Sequence, residues 1–148
     1  MRDQSSEIRV QSSGNQPCRT LGMGHKNLAV WKRSMDFVVK VYRLTKTFPK
    51  EELYCLTSQM RRAAISIPSN LAEGHAKRTT REFIRFTNIS YGSAAELETQ
   101  IMIAEQLGYA PEHDISCLIS ELSEIEKMIN GLLAGLEKKL SPSLNSEL

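Results

Sequence analysis

Hydrophobic residues recur at three- and four-residue steps through most of the chain, which is the spacing of a helix with one buried face. Four such segments, bounded by prolines and glycines, predict helices over about residues 28–47, 50–73, 80–107 and 111–140. No segment shows a convincing two-residue alternation of the kind that β-strands have. Because short joins between amphipathic helices favour antiparallel neighbours, the pattern predicts an all-α fold, an antiparallel up-down-up-down four-helix bundle.

Polar residues without a period flank the four segments. They predict a disordered polar N-terminal tail over residues 1–26, a bundle over residues 27–140 and a C-terminal tail over residues 141–148. Met23 stands just before the first periodic segment. The sequence therefore leaves open whether residues 1–22 belong to the native protein or precede a true start at Met23.

A proline lies inside the second predicted helix. Pro68 lacks the amide hydrogen that would bond the carbonyl of Ala64, yet the helical spacing resumes at Leu71. This pattern predicts that the second helix is kinked at Pro68 and bends around its neighbours. Gly74 is expected to end that helix in the left-handed conformation.

The third predicted helix is long and carries two apolar rows. Gly92 and its three small successors are expected to let another helix backbone approach closely. The main seam consists of Phe83, Thr87, Ser90, Ala94, Leu97, Ile101 and Ala104. Beside it runs a second row, which consists of Ile84, Tyr91, Ala95 and Met102. A helix that is apolar on two sides requires more than one partner helix, which suggests a contact with a neighbouring subunit as well as with the core of its own chain.

Composition narrows the class of protein. With 148 residues, 41% of them hydrophobic and 24% charged, the chain fits one soluble domain. It has neither a run of about 20 apolar residues nor a signal peptide, which predicts a cytoplasmic protein without a membrane segment. The three cysteines, Cys18, Cys55 and Cys117, are far apart, and we interpret them as reduced thiols. Cys55 is expected to pack in the core.

Candidate catalytic and metal-binding patterns are weak. Glu73, Glu96, Glu98 and Glu105 suggest a di-metal bundle, but the Glu-x-x-His pairs of that chemistry do not occur. Phosphate-binding glycine loops and nucleophile elbows do not occur either. We therefore expect no enzyme activity, metal or cofactor. Glu73 is expected to pair with Arg61 or Arg62, or to satisfy backbone donors near the kink.

Charge is divided unequally along the chain. Residues 1–85 contain 16 Lys and Arg against 7 Asp and Glu, a net +9, whereas residues 86–148 contain 3 against 10, a net −7. Such a division suggests a basic surface for a polyanion, complementary subunit surfaces, or charges that antiparallel packing mixes and cancels. The candidate nucleic-acid-binding residues are Arg61, Arg62, Lys77, Arg78, Arg81 and Arg85.

These cations have two alternative interpretations: ion pairs, including pairs across a subunit interface with Glu96, Glu98 and Glu105, or plain solvated surface. No row of aromatic residues is interleaved with them, so the sequence does not support base stacking. If they bind nucleic acid, we expect contacts mainly to the backbone or to RNA shape.

Three sequence segments point to a family: ISIPSNLAEG at 65–74, EFIRF at 82–86 and YGSAAELETQ at 91–100. Their order and separation resemble the four-helix-bundle proteins encoded within intervening sequences of bacterial 23S ribosomal RNA genes. The resemblance extends from about Leu28 to Leu136, because Trp31 to Phe37 and Leu107 to Tyr109 fit it as well.

The resemblance implies an oligomeric, RNA-associated protein without a catalytic role. A related accessory subunit of diversity-generating retroelements forms a barrel-shaped homopentamer, binds nucleic acid, RNA or DNA, through a basic surface and partners a reverse transcriptase. The alternative is an oligomeric scaffold or adaptor for a protein such as a reverse transcriptase, without contact to nucleic acid. We expect structural roles for the following motif residues: Pro68, Asn70, Glu73, Gly74, Gly92 and Glu96.

Overall fold

The computed structural model describes residues 24–144, with side chains up to residue 141. It contains four α-helices: α1 over Ala29–Thr45, α2 over Leu56–Ala76, α3 over Thr80–Gln106 and α4 over Glu112–Leu144. Two short 3-10 helices, His25–Asn27 and Lys50–Tyr54, precede α1 and α2. The described residues form no β-strand, so the predicted all-α, four-helix fold is confirmed.

Both ends of the described chain are more structured than the sequence suggests. His25–Asn27 form a helical turn, and the His25 ring contacts the Trp31 ring edge-on at 5.1 Å between centroids. At the other end α4 continues to Leu144, beyond the predicted limit at residue 140. The remaining parts of the two predicted tails, residues 1–23 and 145–148, lie outside the described residues.

The second helix begins later than its sequence pattern predicts. Residues 50–54 form a 3-10 helix, and the backbone of Cys55 breaks it from α2 with φ −118° and ψ −111°. The Glu52 carboxylate accepts a hydrogen bond from the Leu56 amide at 3.1 Å, which satisfies a free donor at the start of α2. Cys55 is exposed in this break, so the expectation that its thiol packs in the core is wrong.

The contacts between consecutive helices pair later residues of one helix with earlier residues of the next. On α2 and α3, Ser66 hydrogen-bonds Ser93 at 2.8 Å, while Gly74, further along α2, touches Phe86, earlier on α3. On α1 and α2, the Thr45 hydroxyl accepts from Arg61. At the opposite ends of those two helices the His25 and His75 rings lie 6.5 Å apart.

The third and fourth helices follow the same rule. Phe83 near the start of α3 borders one cavity with Leu136 near the end of α4, whereas Glu98 and Glu126 face each other further along. The start of α3 therefore lies beside the end of α4. This placement brings the α2–α3 join and the last turns of α4 to one end of the bundle.

The core lies between the four helices and consists mainly of aliphatic side chains. The predicted α3 seam is buried at Leu97, Ile101 and Ala104, and its polar members Thr87 and Ser90 are buried as well. The fully buried large side chains include Phe37, Val41, Met60, Ile67, Leu71, Leu97, Ile101, Ile115, Leu122, Ile125 and Ile129. No described helix is both long enough and apolar enough to cross a bilayer.

Gly74 does not end α2. The helix continues to Ala76, and the only described glycine with positive φ is Gly108, which follows α3. A Cβ atom added to Gly74 would lie 2.7 Å from the Cβ of Phe86 and 3.0 Å from a ring carbon of Phe83. The predicted left-handed stop is therefore wrong, and glycine is required here because α3 approaches the α2 backbone closely.

Gly92, unlike Gly74, has open space beside its backbone. It is exposed on α3, and a Cβ atom there would have nothing within 4 Å. The expectation that this glycine lets another helix approach is wrong within the chain, since Ser93 and Ala94, not Gly92, face the interior.

Pro68 is buried within α2. Two backbone carbonyl groups close to it in the sequence accept hydrogen bonds from side chains. The Asn70 side-chain amide donates to the Ser66 carbonyl at 2.8 Å, and the Ser90 hydroxyl donates to the Ile67 carbonyl at 2.9 Å. These bonds stabilise backbone groups beside the proline, which has no amide hydrogen of its own. A kink at Pro68 stays a prediction.

Two carboxylates oppose each other between α3 and α4. Partial burial, and secondarily the negative charge of Glu98, raise the pKa of Glu126 above its ordinary value of 4.5. A raised pKa in the folded state means that ionisation of Glu126 destabilises the fold. This penalty is absent below about pH 4.5 and is fully present above the raised pKa.

We expect Glu126→Gln to stabilise the protein at neutral pH by about 0.3 kcal/mol, a small gain because solvent screens this partly exposed pair. At about pH 3.5, where the carboxyl is protonated in both states, the gain should vanish. Urea denaturation of both proteins at the two pH values measures the difference. Glu124→Gln is the control, because Glu124 pairs with Lys127 at 3.0 Å and should gain nothing. An equal gain at both pH values would contradict the electrostatic origin.

Candidate nucleic-acid interface

The join between α2 and α3 presents a group of cationic side chains. Because Gly74 lets the end of α2 pack against Phe83 and Phe86, the chain turns tightly and leaves Lys77 and Arg78 exposed. Arg81 is exposed on the first turn of α3. Three of the predicted site residues are therefore brought together by a single turn.

The start of α3 is stabilised by Thr79. Its side-chain oxygen accepts a hydrogen bond from the Glu82 amide at 3.2 Å, as the first half of a capping box requires. The reciprocal half is not formed with Glu82, whose carboxylate accepts instead from Arg85 at 3.0 Å. Arg85 is thus partly neutralised within its own helix.

One buried aromatic ring orients two of the cations. Phe86 is only 7% exposed, and its ring lies 5.3 Å from the Lys77 ammonium and 4.5 Å from the Arg85 guanidinium carbon. Such cation–π contacts stabilise the positions of both side chains while their charges stay accessible to solvent. The ring itself is covered, so it is not a platform for a base.

Arg61 and Arg62 lie elsewhere. The Arg61 side chain donates from Nε to the Thr45 hydroxyl at 2.9 Å and stacks on Tyr42 at 4.6 Å, which holds it against α1. Arg62 is exposed and borders a surface groove that also contains Glu96. Sixteen residues separate Arg61 from Lys77, about 24 Å along a helix, so the six predicted residues do not form one surface.

Sequence reasoning missed Lys139. This residue lies in the acidic half of the sequence, but the end of α4 lies beside the start of α3, and Lys139 lines one cavity with Lys77 and Arg78. Among the described residues, no ion pair involves Arg78, Arg81 or Lys139. We call these four residues, Lys77, Arg78, Arg81 and Lys139, the basic end.

The opposite end of the bundle is rich in carboxylates. It combines Glu51 and Glu52 before α2 with Glu105 at the end of α3 and Glu112 at the start of α4. There Tyr109 donates to Glu52 at 2.8 Å, and this hydrogen bond, with burial and the charges of both glutamates, raises the pKa of Tyr109. Packing therefore places part of the excess positive charge at one end of the bundle and part of the excess negative charge at the other end, so the two do not cancel.

Two further residues with predicted structural roles, Glu96 and Glu73, lie outside the basic end. Glu96 accepts a hydrogen bond from the Gln100 side chain at 3.1 Å. Glu73 is exposed, and no described ion pair joins it to Arg61 or Arg62, which lie about three helical turns away. The expected pairing of Glu73 with these arginines is therefore not formed.

Chemically reactive groups are sparse in the described residues. No three His, Cys, Asp or Glu side chains among them lie close enough together to hold a metal ion. Cys117 is exposed, with its sulfur 3.7 Å from the His113 Nε2 one helical turn away. The most distinctive feature of the surface is the basic end.

The fold and the comparisons identify the class and then the family. The class is a four-helix bundle with cations gathered at one end. The sequence matches the family described as 23S rRNA-intervening sequence protein over residues 26–131, and the chain belongs to that family. Among curated proteins, none matches the sequence.

A solved structure supports the fold independently. The crystal structure of a protein of unknown function from the S23 ribosomal protein family of Bacteroides thetaiotaomicron is similar, with a TM-score of 0.64. The alignment covers 70% of this chain and 97% of that chain at 20% sequence identity. At this identity the likeness concerns the arrangement of helices alone.

Proposed function

We propose that this chain is a non-enzymatic, self-associating bundle that binds RNA through its basic end. The observation that carries the proposal is the convergence of Lys77, Arg78, Arg81 and Lys139 from two separate parts of the sequence. Cations that lack acidic partners favour a polyanionic ligand, because its phosphates supply the missing counter-charges. The family description, which names 23S rRNA, also favours RNA as that polyanion.

The expected mode of binding is contact with the sugar–phosphate backbone. The aromatic ring nearest to the cations, Phe86, is buried beneath Lys77 and Arg85, so it does not stack on bases. Arginine and lysine contacts to phosphates position a nucleic acid without reading its sequence. We therefore expect binding that depends on RNA shape and on salt.

Fluorescence anisotropy with a labelled, structured RNA tests the proposal. If the basic end neutralises about four phosphates, the logarithm of the affinity should fall with the logarithm of the salt concentration with a slope of about −3. Absence of binding at low salt would overturn the proposal. A salt-independent affinity would show that the contact is not made by these charges.

A second candidate function, an oligomeric scaffold, is favoured by apolar side chains on the outer face of α3. Tyr91 is 38% exposed and Met102 49% exposed, and both belong to the second apolar row of α3. Ile89, Ile103 and Leu107 add further exposed hydrophobic surface to the same helix. Such an accumulation marks an interaction surface more often than a solvated one.

The occupant we propose for this face is α1 of a second copy. The outer face of α1 exposes Met35 and Val39 beside basic residues that include Lys32 and Arg43. The outer face of α3 instead carries exposed acidic residues, Glu96 and Glu105. Hydrophobic area and charge are therefore complementary between the two faces.

This pairing also has a geometric consequence. Among the described residues, no Cα atom of α1 lies within 8 Å of a Cα atom of α3, so the two helices occupy diagonal positions of the bundle. Contacts between different faces of successive copies are heterologous, and they close into a ring when the rotation permits. The pentamer implied by the family resemblance is one such ring.

Light scattering coupled to size-exclusion chromatography measures the assembly. We expect a particle several times the 16.7 kDa of one chain, and we expect either Met102→Asp or Met35→Asp to reduce it to the monomer. Tyr54→Asp is the matched control, because Tyr54 is 89% exposed on the 3-10 helix before α2, outside both faces. A monomeric wild-type protein would refute the scaffold.

A further inference from the structure

The basic end contains a cavity of about 250 Å³ between the α2–α3 join and the last turns of α4. The cationic residues Lys77, Arg78 and Lys139 line it together with the apolar residues Phe83 and Leu136. None of the residues that line it is acidic. It therefore concentrates positive charge in a concave space, whereas Arg81 lies on the open surface beside it.

Neighbouring contacts orient the groups around this cavity. The Lys77 ammonium is held over the Phe86 ring, and the His75 ring packs edge-on against Phe83 at 5.5 Å between centroids. The Thr80 side chain also borders the cavity. The α2–α3 join thus supplies Lys77 and Arg78 to this cavity, and α4 supplies Lys139. Phe83, which lines the same cavity, is already packed against His75.

We propose that this cavity binds the terminal phosphomonoester of an RNA strand. The inference rests on the proposed RNA-binding function and specifies the part of the ligand that the cavity takes. A phosphomonoester carries a charge of about −1.5 to −2 at neutral pH. An internal phosphodiester carries only one negative charge. Three cationic residues that line one cavity therefore favour the chain end over the chain interior.

The shape of the cavity supports the same choice. An internal phosphate has nucleotides on both sides, so it requires a groove through which the strand can pass. Here Phe83 and Leu136 line part of the cavity with apolar surface, which offers no hydrogen-bond donors to the phosphates of a continuing strand. The volume is below the roughly 300–1,000 Å³ of sites for drug-sized ligands, so it suits a phosphate group and not a whole oligonucleotide.

The experiment compares RNAs of one sequence, labelled internally, that end in a 5′-phosphate, a 3′-phosphate or hydroxyl groups only. We expect one of the phosphorylated ends to bind about ten-fold more tightly than the hydroxyl-ended strand. Lys139→Ala should weaken binding of all three strands, because Lys139 belongs to the basic end, and it should in addition reduce the ten-fold preference for the phosphorylated end to within about two-fold. The neighbouring Lys138→Ala is the matched control, since Lys138 is exposed and does not line the cavity.

Each outcome separates the two proposals. Equal affinity for all three strands would overturn the phosphomonoester site while leaving RNA binding in place. Equal losses in Lys138→Ala and Lys139→Ala would assign the effect to general charge and would also overturn it. A further arm titrates adenosine 5′-monophosphate and adenosine into the protein by calorimetry.

Binding of the nucleotide but not of the nucleoside, in a protein that binds no RNA, would support the cavity and refute the broader function. If neither compound binds and no RNA binds, both proposals fail. Competition by inorganic phosphate at constant ionic strength identifies the phosphate as the recognised group, and no competition would overturn the site.

Discussion

The double substitution Arg78→Glu with Arg81→Glu is expected to weaken RNA binding by about a hundred-fold at low salt. Each change removes one phosphate contact and introduces a carboxylate that repels the phosphate. A hundred-fold loss corresponds to about 2.7 kcal/mol. The salt dependence should also become shallower, because fewer counterions are released.

A folded control makes this result interpretable. Arg78 and Arg81 are exposed and form no ion pair among the described residues, so their replacement should leave helicity and thermal stability nearly unchanged. Lys46→Glu with Lys50→Glu makes the same change of charge beside the acidic end of the bundle. If both double variants lose affinity equally, overall charge and not the basic end governs binding. If the Arg78 and Arg81 variant keeps its affinity, the assignment of the site is wrong.

The second large effect concerns stability. Gly74→Ala is expected to destabilise the fold by about 2 kcal/mol, because the new methyl group would overlap the Cβ of Phe86 and α2 and α3 would have to separate. The overlapping atom is the first carbon of the Phe86 side chain, so rotation of that side chain does not relieve the contact. The better helix propensity of alanine offsets only part of this cost.

Gly92→Ala is the matched control for this prediction. Gly92 also lies within a helix, but it is exposed and an added Cβ would have nothing within 4 Å. We therefore expect stabilisation by about 0.5–1 kcal/mol from propensity alone. Urea denaturation with an unchanged m-value measures both changes. If Gly74→Ala stabilised the protein like Gly92→Ala, the close approach of α3 would not limit residue 74.

The sequence predicted correctly that four helices exist, whereas it did not predict where some of these helices begin and end. The main seam predicted on α3 matched the core because helical periodicity is a local property that survives in any bundle. The break at Cys55 was missed because proline and acidic residues start an α-helix and a 3-10 turn alike. Gly74 was misassigned because glycine near a helix end usually serves as a left-handed cap, and here packing against Phe86 requires it instead.

Some residues of the candidate site could likewise be predicted from the sequence, whereas others depend on how the helices pack. Lys77, Arg78 and Arg81 are neighbours in the sequence, so their clustering followed from the short join between two helices. Arg61 was included because its charge was visible, but its contacts with Thr45 and Tyr42 depend on how α1 packs. Lys139 was omitted because its own segment is acidic and its cationic neighbours lie about 60 residues earlier.

By itself the sequence determined four helices, the face that each one buries and a supply of cations near the second join. These properties depend on residues within one or two helical turns, whose relative positions the helix geometry sets. Only the tertiary structure decided which cations meet, why Gly74 cannot carry a side chain, and which apolar residues remain uncovered on α3. Those outcomes depend on contacts between residues far apart in the chain, and such contacts exist only once the helices have packed together.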